Sequence, residues 1–342
     1  MSRISRVYQP IEKDIERVEG VLQDKLKTSY HSLCQLNDYL LSWGGKRLRP
    51  ALVMLSARAI SPQKLSEKEL NLLVLLGAAI ELIHTASLIH DDIIDDSPLR
   101  RGKHTIHTRW GKDTAIAFGD YIYSKAFELV ASCDRPDVLD CVAKATTAMC
   151  EGQLFQILER DNFDLQKEEY FVIVKKKTAN LIAACCKGAA LIIDRDADEK
   201  HSALDNYGLN FGIAFQIVDD YMDIMADESK FGKKSGQDIA MGEVTLPLYD
   251  LLDSLEDKDR KELKQILLNR NISADVLKKI KNKIIGEKIF LKTKEKALSY
   301  IRQSQRNLNV LKDSCYRNGL IRLADYVLER GFPSLSLSKK NP

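Results

Sequence analysis

Two apolar, helix-periodic runs in this chain each end in the same acidic pattern. LIHDDIIDDSP carries Asp91, Asp92, Asp95 and Asp96, and FQIVDDYMDI carries Asp219, Asp220 and Asp223. Both contain DDxxD. At about 100° per residue, Asp91 and Asp95 lie about 40° apart around a helix axis and one turn apart along it. Asp219 and Asp223 share that arrangement. Carboxylates crowded onto apolar helices repel one another unless cations lie between them. Hard oxygen ligands of this kind suit Mg²⁺, which keeps several waters and bridges carboxylates to substrate phosphates. One such motif could be an exposed acidic helix end; two, each behind its own apolar run, call for more. The DxDxDG spacing of a calcium-binding EF-hand loop is absent.

The rest of the chain favours long helices. Only 8 prolines and 17 glycines punctuate 342 residues, fewer than the usual 5% and 7% or so. Apolar spacing predicts helices over 10–43, 51–60, 67–96, 113–133, 136–160, 167–193 and 198–226, with further amphipathic helices from about 245 to 330. Polar segments at 97–111 and 231–243 read as loops, and residues 331–342 as a frayed tail. No strand alternation persists and no repeat appears. These features predict an all-α fold in a single domain over 1–342, with a motif-bearing core at about 40–250. The segment 67–96 is apolar enough to be buried. Its longest uninterrupted apolar stretch, around Leu72 to Ile80, stops at Glu81, short of the roughly 20 residues of a membrane span. With 52 basic and 49 acidic residues, the net charge of +3 gives no reason to expect nucleic acid. Seven scattered cysteines without CxxC spacing, behind a polar N-terminus, predict reduced thiols and a cytoplasmic protein.

Carboxylates with Mg²⁺ make a phosphate site only if other cations hold the remaining phosphate charge. The chain offers Lys46, Arg47 and Arg49 in GGKRLRP, and Arg100 and Arg101 shortly after Asp95. It also offers Lys175 to Lys177 before Thr178, and Lys233 and Lys234 after Asp223. Arginine grips phosphate through two points and lysine acts as a point charge. GGKRLRP is not a Walker loop. His84 lies seven residues before Asp91, on the same helix face. His90, beside Asp91, is expected to support the carboxylates and not to bind metal. His104 and His107 have no third ligand nearby, which argues against zinc.

These pieces resemble the trans-prenyl diphosphate synthases. The matching segments are GGKRLRP (44–50), IHTASLIHDDIIDDSPLRRGK (83–103), FGDYIYSKAFEL (118–129), EGQ (151–153), KKTANL (176–181), FQIVDDYMD (215–223) and FGKKSGQDIAMGEVTLPL (231–248). The resemblance implies an all-helical isoprenoid-synthase bundle around a deep central cavity, usually a homodimer. Such enzymes condense isopentenyl diphosphate head to tail with an allylic diphosphate. It further implies that Asp91, Asp92, Asp95, Asp219, Asp220 and Asp223 hold three Mg²⁺ on the allylic diphosphate. Arg100, Lys177, Thr178, Gln216 and Lys233 would contact the same group, Lys177 also aiding catalysis. Lys46, Arg49, His84 and Arg101 would bind isopentenyl diphosphate. Small residues at Ala86 and Ser87, one turn before Asp91, go in this family with long products. The chain is therefore expected to resemble the octaprenyl and solanesyl type most, with farnesyl or geranylgeranyl product as the alternative and delivery to a membrane as the product's fate. A terpene cyclase would not need GGKRLRP, and a non-catalytic subunit would lack the aspartate motifs. One position departs from the pattern: Glu243 stands in GEVTLP where many members carry lysine, leaving one diphosphate cation open, with Lys234 a candidate replacement.

Overall fold

The computed structural model describes residues 3–63, 65–196, 198–225, 235–270 and 272–332. It is helical almost throughout: α1 (Arg3–Tyr8), α2 (Glu12–Lys25), α3 (His31–Leu41), α4 (Leu48–Ile60), α5 (Glu67–Ile94), α6 (Ile106–Trp110), α7 (Lys112–Ala131), α8 (Pro136–Leu158), α9 (Lys167–Val174), α10 (Asn180–Ile193), α11 (Asp198–Met225), α12 (Gln237–Ala240), α13 (Leu246–Ser254), α14 (Asp257–Leu268), α15 (Ala274–Gly286), α16 (Ile289–Asn307) and α17 (Cys315–Gly331). The chain divides into two compact units. The first takes Met1–Thr146, Leu181–Asp205 and Leu308–Leu320; the second takes Thr147–Asn180, Asn206–Asn307 and Ile321–Pro342.

The first unit is organised around α5, which packs against α2, α4 and α7. A capping box starts this helix: Ser66 Oγ accepts from the Glu69 N–H at 3.2 Å, and the Glu69 carboxylate accepts from the Ser66 N–H at 2.7 Å. By length and hydropathy α5 could cross a bilayer, but 67% of its most apolar window is buried, so it serves as a core helix. It ends at its own acidic motif. Asp95 is the C-cap, and its N–H donates to the Asp91 carbonyl at 2.8 Å.

The polar segment after α5 is more ordered than its sequence suggests. Leu99–Arg100 pairs antiparallel with Lys103–His104. Arg101 and Gly102 both have positive φ (53° and 76°), as a two-residue hairpin turn of this hand requires. Two-residue strands are too short to leave an alternation pattern. The predicted helix over 10–43 is likewise interrupted: α2 stops at Lys25, and Asn37 Nδ2 donates to the Leu26 carbonyl at 2.6 Å, fixing the bend before α3.

In the second unit, the predicted helix over 167–193 contains a π turn at Lys175–Ala179, the KKKTA segment. Turns of this kind recur at functional sites. The predicted loop at 231–243 contains α12 within its described part.

Candidate active site

The first unit gathers cations beside the first aspartate motif. Three acidic residues at the C-terminal end of α5 oppose the helix dipole, so positive partners are needed. Asp92 is buried and receives Arg100, whose Nε and Nη2 lie 2.8 and 2.7 Å from its Oδ1. The chain reverses at Asp96 (φ 46°), where the Ser97 N–H donates to the Asp92 carbonyl at 2.9 Å, and this brings Arg100 back onto the helix it follows. Asp91 and Asp95 are half-buried on the same end, while exposed Asp96 pairs with Lys112 at 3.2 Å.

GGKRLRP forms a bend entering α4. Gly44 and Arg47 both take left-handed backbone (φ 59° and 48°). Arg47 does not face outward as a free cation. Its Nη2 donates to Glu19 Oε2 at 3.0 Å and its Nη1 to buried Glu81 Oε1 at 3.1 Å. These two carboxylates keep its guanidinium charge despite burial. Arg101 donates through Nη1 to the Gly44 carbonyl, which ties the hairpin to the bend. Lys46 is exposed and Arg49 half-buried.

His84 sits among these groups. It retains some solvent access, yet protein atoms surround the ring on most sides. Burial first, then the charges of Arg49, Arg100, Arg101 and Arg47, hold its imidazole well below the usual range. A neutral imidazole can donate one N–H to an anion without adding to the positive crowd. Arg49, His84 and Arg101, far apart in sequence, are thus brought together. Ala86 is fully buried; Ser87 is half-buried and donates from Oγ to the His84 carbonyl at 2.8 Å. His90 does not support Asp91 as expected. It turns to α7, with Nε2 3.3 Å from the Ile116 carbonyl and 3.6 Å from Asp120.

The second unit builds a polar chain around the second motif on α11. Asp220 is buried and accepts from Tyr170 Oη at 2.6 Å and Gln216 Nε2 at 2.7 Å. The Gln216 Oε1 in turn accepts from Thr178 Oγ1 at 2.7 Å. Burial pushes the Asp220 carboxyl up to about 7, with the negative charges of Asp219 and Asp223 adding to the rise and the two hydrogen bonds opposing it. Asp219 accepts from Arg330 Nη2 at 2.9 Å. Asp223 Oδ2 accepts from the Asp238 N–H at 3.2 Å. The Asp238 carboxyl is itself raised well above its ordinary range, by burial and then by Asp223 and its acidic neighbours.

The π turn places Lys177 beside this chain. Its Nζ donates to Gln156 Oε1 at 2.6 Å, and Gln156 Nε2 donates to buried Glu243 Oε2 at 2.6 Å. Gln156, Lys177, Thr178, Gln216, Asp220 and Glu243 line one pocket. Lys176 pairs instead with Glu151. Lys233 and Lys234 lie outside the described residues.

Among the described residues, no three acidic, histidine or cysteine side chains converge to cage a single ion. The donor set still fits Mg²⁺, which dehydrates reluctantly and is usually held by one or two carboxylates plus phosphates and waters. The raised Asp220 carboxyl points the same way, since a cation would relieve the crowding of negative charge that lifts it.

Tyr170, Gln156, Arg160, Arg330 and Asp238 escaped the sequence reading. Gln216 and Asp220 are four apart on one helix, a legible pair, but Tyr170, Arg330 and Asp238 contact the motif, and Gln156 and Arg160 contact Lys177 or Glu243, from distant segments with no sequence signal of their own.

A helical protein with two carboxylate motifs, each bordered by cationic or hydrogen-bonding side chains, has the groups that metal-assisted diphosphate chemistry needs. The polyprenyl synthetase family model matches residues 30–284, and the chain belongs to that family. It is 37% identical to the short chain isoprenyl diphosphate synthase of Methanothermobacter thermautotrophicus, over 92% of this chain and 94% of that one. It is 30% identical to the octaprenyl diphosphate synthase of Escherichia coli, over 96% and 99%. A crystal structure of polyprenyl synthase from Caulobacter crescentus, complexed with calcium and isoprenyl diphosphate, superposes with a TM-score of 0.89 at 30% identity, over 96% of this chain and 98% of that one. The chain is an enzyme, a prenyl diphosphate synthase.

Proposed function

We propose that this enzyme extends an allylic diphosphate with isopentenyl diphosphate to a long all-trans product, in the hexaprenyl to decaprenyl range. The observation that carries the chain length is the small pair Ala86 and Ser87, one turn before Asp91. A turn rises about 5.4 Å, comparable with an extended isoprene unit, so these residues are the first that could stop a chain growing along α5 towards its N-terminus. Neither is bulky.

Arg49, His84 and Arg101, with exposed Lys46, bind the diphosphate of isopentenyl diphosphate. The six motif aspartates, Asp91, Asp92, Asp95, Asp219, Asp220 and Asp223, hold Mg²⁺, three ions per site in this reading. Bound Mg²⁺ neutralises charge on the leaving diphosphate. Lys177, Thr178 and Arg100 hold that diphosphate in line, with Gln216 fixing Thr178 and Asp220; Lys233 completes the set. The allylic C–O bond ionises, the double bond of isopentenyl diphosphate attacks, and the released diphosphate accepts the proton. No side-chain nucleophile is required, and apolar walls exclude the water that would quench the cation.

The chain acts as one catalytic domain and as a homodimer in the cytoplasm, delivering its product to a membrane. Leu154 and Leu158 on α8, 60% and 79% exposed, offer apolar surface for a second copy to cover. A shorter product is the second reading, favoured by the 37% identity to a short-chain synthase.

The test is product analysis. The purified chain alone, given labelled isopentenyl diphosphate, an allylic diphosphate and Mg²⁺, is expected to give hexaprenyl or longer chains by chromatography. Arrest at farnesyl or geranylgeranyl diphosphate would establish the second reading, and no turnover without a partner protein would overturn both.

A further inference from the structure

Glu243 lines the same pocket as Lys177. An acid at this place has the wrong sign to hold a diphosphate, and the structure gives it other work. Glu243 is buried, with 8% of its surface exposed. Its two oxygens serve different partners. Oε1 accepts from Arg160 Nη2 at 2.9 Å, and Oε2 accepts from Gln156 Nε2 at 2.6 Å. Gln156 lies in the last turn of α8 and Arg160 in the turn that follows Leu158, so the end of that helix presents both donors. The far end of the Gln156 amide accepts from Lys177 Nζ at 2.6 Å.

The chemistry of these groups fixes the direction of the relay. An ammonium only donates and a carboxylate only accepts. The Gln156 amide must therefore turn its oxygen to Lys177 and its nitrogen to Glu243; the flipped amide would face a donor with a donor and an acceptor with an acceptor. Arg160 supplies the counter-charge that a buried carboxylate requires. Glutamate at 243 thus belongs with Arg160 and Gln156 as a set.

We propose that Glu243 is a positioning residue: anchored by Arg160, it orients Gln156, whose amide oxygen holds the Lys177 ammonium for the allylic diphosphate. The proposal rests on the reading that Lys177 holds that diphosphate. Two simpler accounts compete with it. Glu243 could be no more than a missing cation, or it could form an ion pair with Arg160 that stabilises the fold and does nothing further.

The experiment uses Gln156→Met, Glu243→Ala, their combination and Glu243→Lys in the full-length enzyme. Gln156→Met cuts the relay in the middle and leaves the Glu243–Arg160 pair intact, so it carries the test even if Glu243→Ala fails to fold. Losing a hydrogen bond to a charged group is expected to raise the allylic KM about tenfold in either single variant. The isopentenyl KM is expected to stay within about twofold, since its cations lie on other segments. The double variant is expected to be no worse than the poorer single one, because both interrupt one path. Glu243→Lys is expected to weaken allylic binding, having placed a cation against Arg160 and removed the acceptor of Gln156.

An unchanged allylic KM in Gln156→Met overturns the relay, as do effects that multiply in the double variant. Tighter allylic binding by Glu243→Lys overturns it in favour of a missing cation. The allylic KM of Lys177→Met tests the reading beneath the proposal: a rise is expected, and an unchanged value overturns that reading. Coupling between Gln156→Met and Glu243→Ala in urea unfolding, where no substrate takes part, reports the hydrogen-bonded chain independently; additive effects there overturn the relay whatever the wild type's activity.

Discussion

Gly152→Ala separates a tertiary constraint from helix propensity. Gly152 lies on α8 in the EGQ segment, and in an isolated helix this substitution would gain about 1 kcal/mol. Here a Cβ would stand 2.9 Å from the Lys176 carbonyl carbon and closer still to the Lys177 nitrogen. Those are backbone atoms of the π turn, which cannot swing aside as a side chain can. Overpacking of this kind costs about 1–3 kcal/mol, so the net effect is a destabilisation of up to about 2 kcal/mol. With an unfolding entropy of about 2.1 cal/mol/K per residue, a chain of 342 residues loses roughly 1.4 °C of Tm per kcal/mol. The expected fall is therefore up to about 3 °C.

The effect on turnover is expected to be much larger. Relief of the clash must move the turn that carries Lys177 and Thr178, and a misplacement of about 1 Å can cost on the order of 100-fold. Gly20→Ala on α2 is the control, since nothing lies within 4 Å of its added Cβ; it should raise Tm by about 1 °C through propensity alone. Calorimetry and steady-state kinetics on both variants decide the matter. If Gly152→Ala raises Tm as Gly20→Ala does and leaves the allylic KM unchanged, the close approach between α8 and the turn is wrong.

Asp91→Ala or Asp219→Ala should lower kcat on the order of 100- to 1000-fold with an unchanged far-UV circular dichroism spectrum; near-normal rates at ordinary Mg²⁺ would refute their assignment as metal ligands. His84 gives a pH signature. Its folded pKa lies below the unfolded value of about 6.5, so the unfolded state takes up a proton first as pH falls, and stability present above about pH 6.5 is lost below it. His84→Gln should therefore lose less Tm between pH 7 and pH 5 than the wild type, and equal losses would show that His84 is not held neutral. Ser87→Phe should shorten the product to three or four isoprene units at substantial activity. It is a better variant than Ala86→Phe, because Ser87 is half-buried and Ala86 has no free surface; an unaltered product length would refute the proposed path along α5.

The aspartate motifs, the cation groups and the all-helical architecture were legible because each is a local pattern. Capping residues, apolar periodicity and short charged spacings all act within one or two turns. What escaped detection depends on where distant segments meet. The hairpin at Leu99–Arg100 and Lys103–His104 contains too few residues to alternate, yet its first strand carries the Arg100 that meets Asp92. The π turn interrupts a sequence whose apolar spacing reads as uninterrupted helix, and the backbone at Gly152 crowds it from another helix. Charge alone makes Arg47 one of three cations in GGKRLRP, and only the family resemblance passed over it in favour of Lys46 and Arg49. In the fold its guanidinium is occupied by Glu19 and Glu81, and neither acid belongs to a motif.

These occupied cations explain how a chain can carry so many ill-placed charges and still fold. Asp92 stands at the negative end of the α5 dipole and is buried; Asp219, Asp220 and Asp223 crowd one face of α11. Each arrangement alone would be unfavourable. Arg100 meets Asp92, Arg330 meets Asp219, and Tyr170 with Gln216 satisfies Asp220. Buried pairs of this kind contribute little net stability, because desolvation offsets most of the attraction. Their effect is to make the carboxylates tolerable, while the burial of the apolar α5 and its neighbours drives folding. Local rules are therefore broken most densely at the two aspartate motifs, where a sequence under selection for stability alone would have placed apolar or neutral residues. Function is the remaining reason to keep the carboxylates there. The hydrogen-bonded partners also hold their oxygens in place before any cation or diphosphate arrives, which reduces the ordering that binding must then supply.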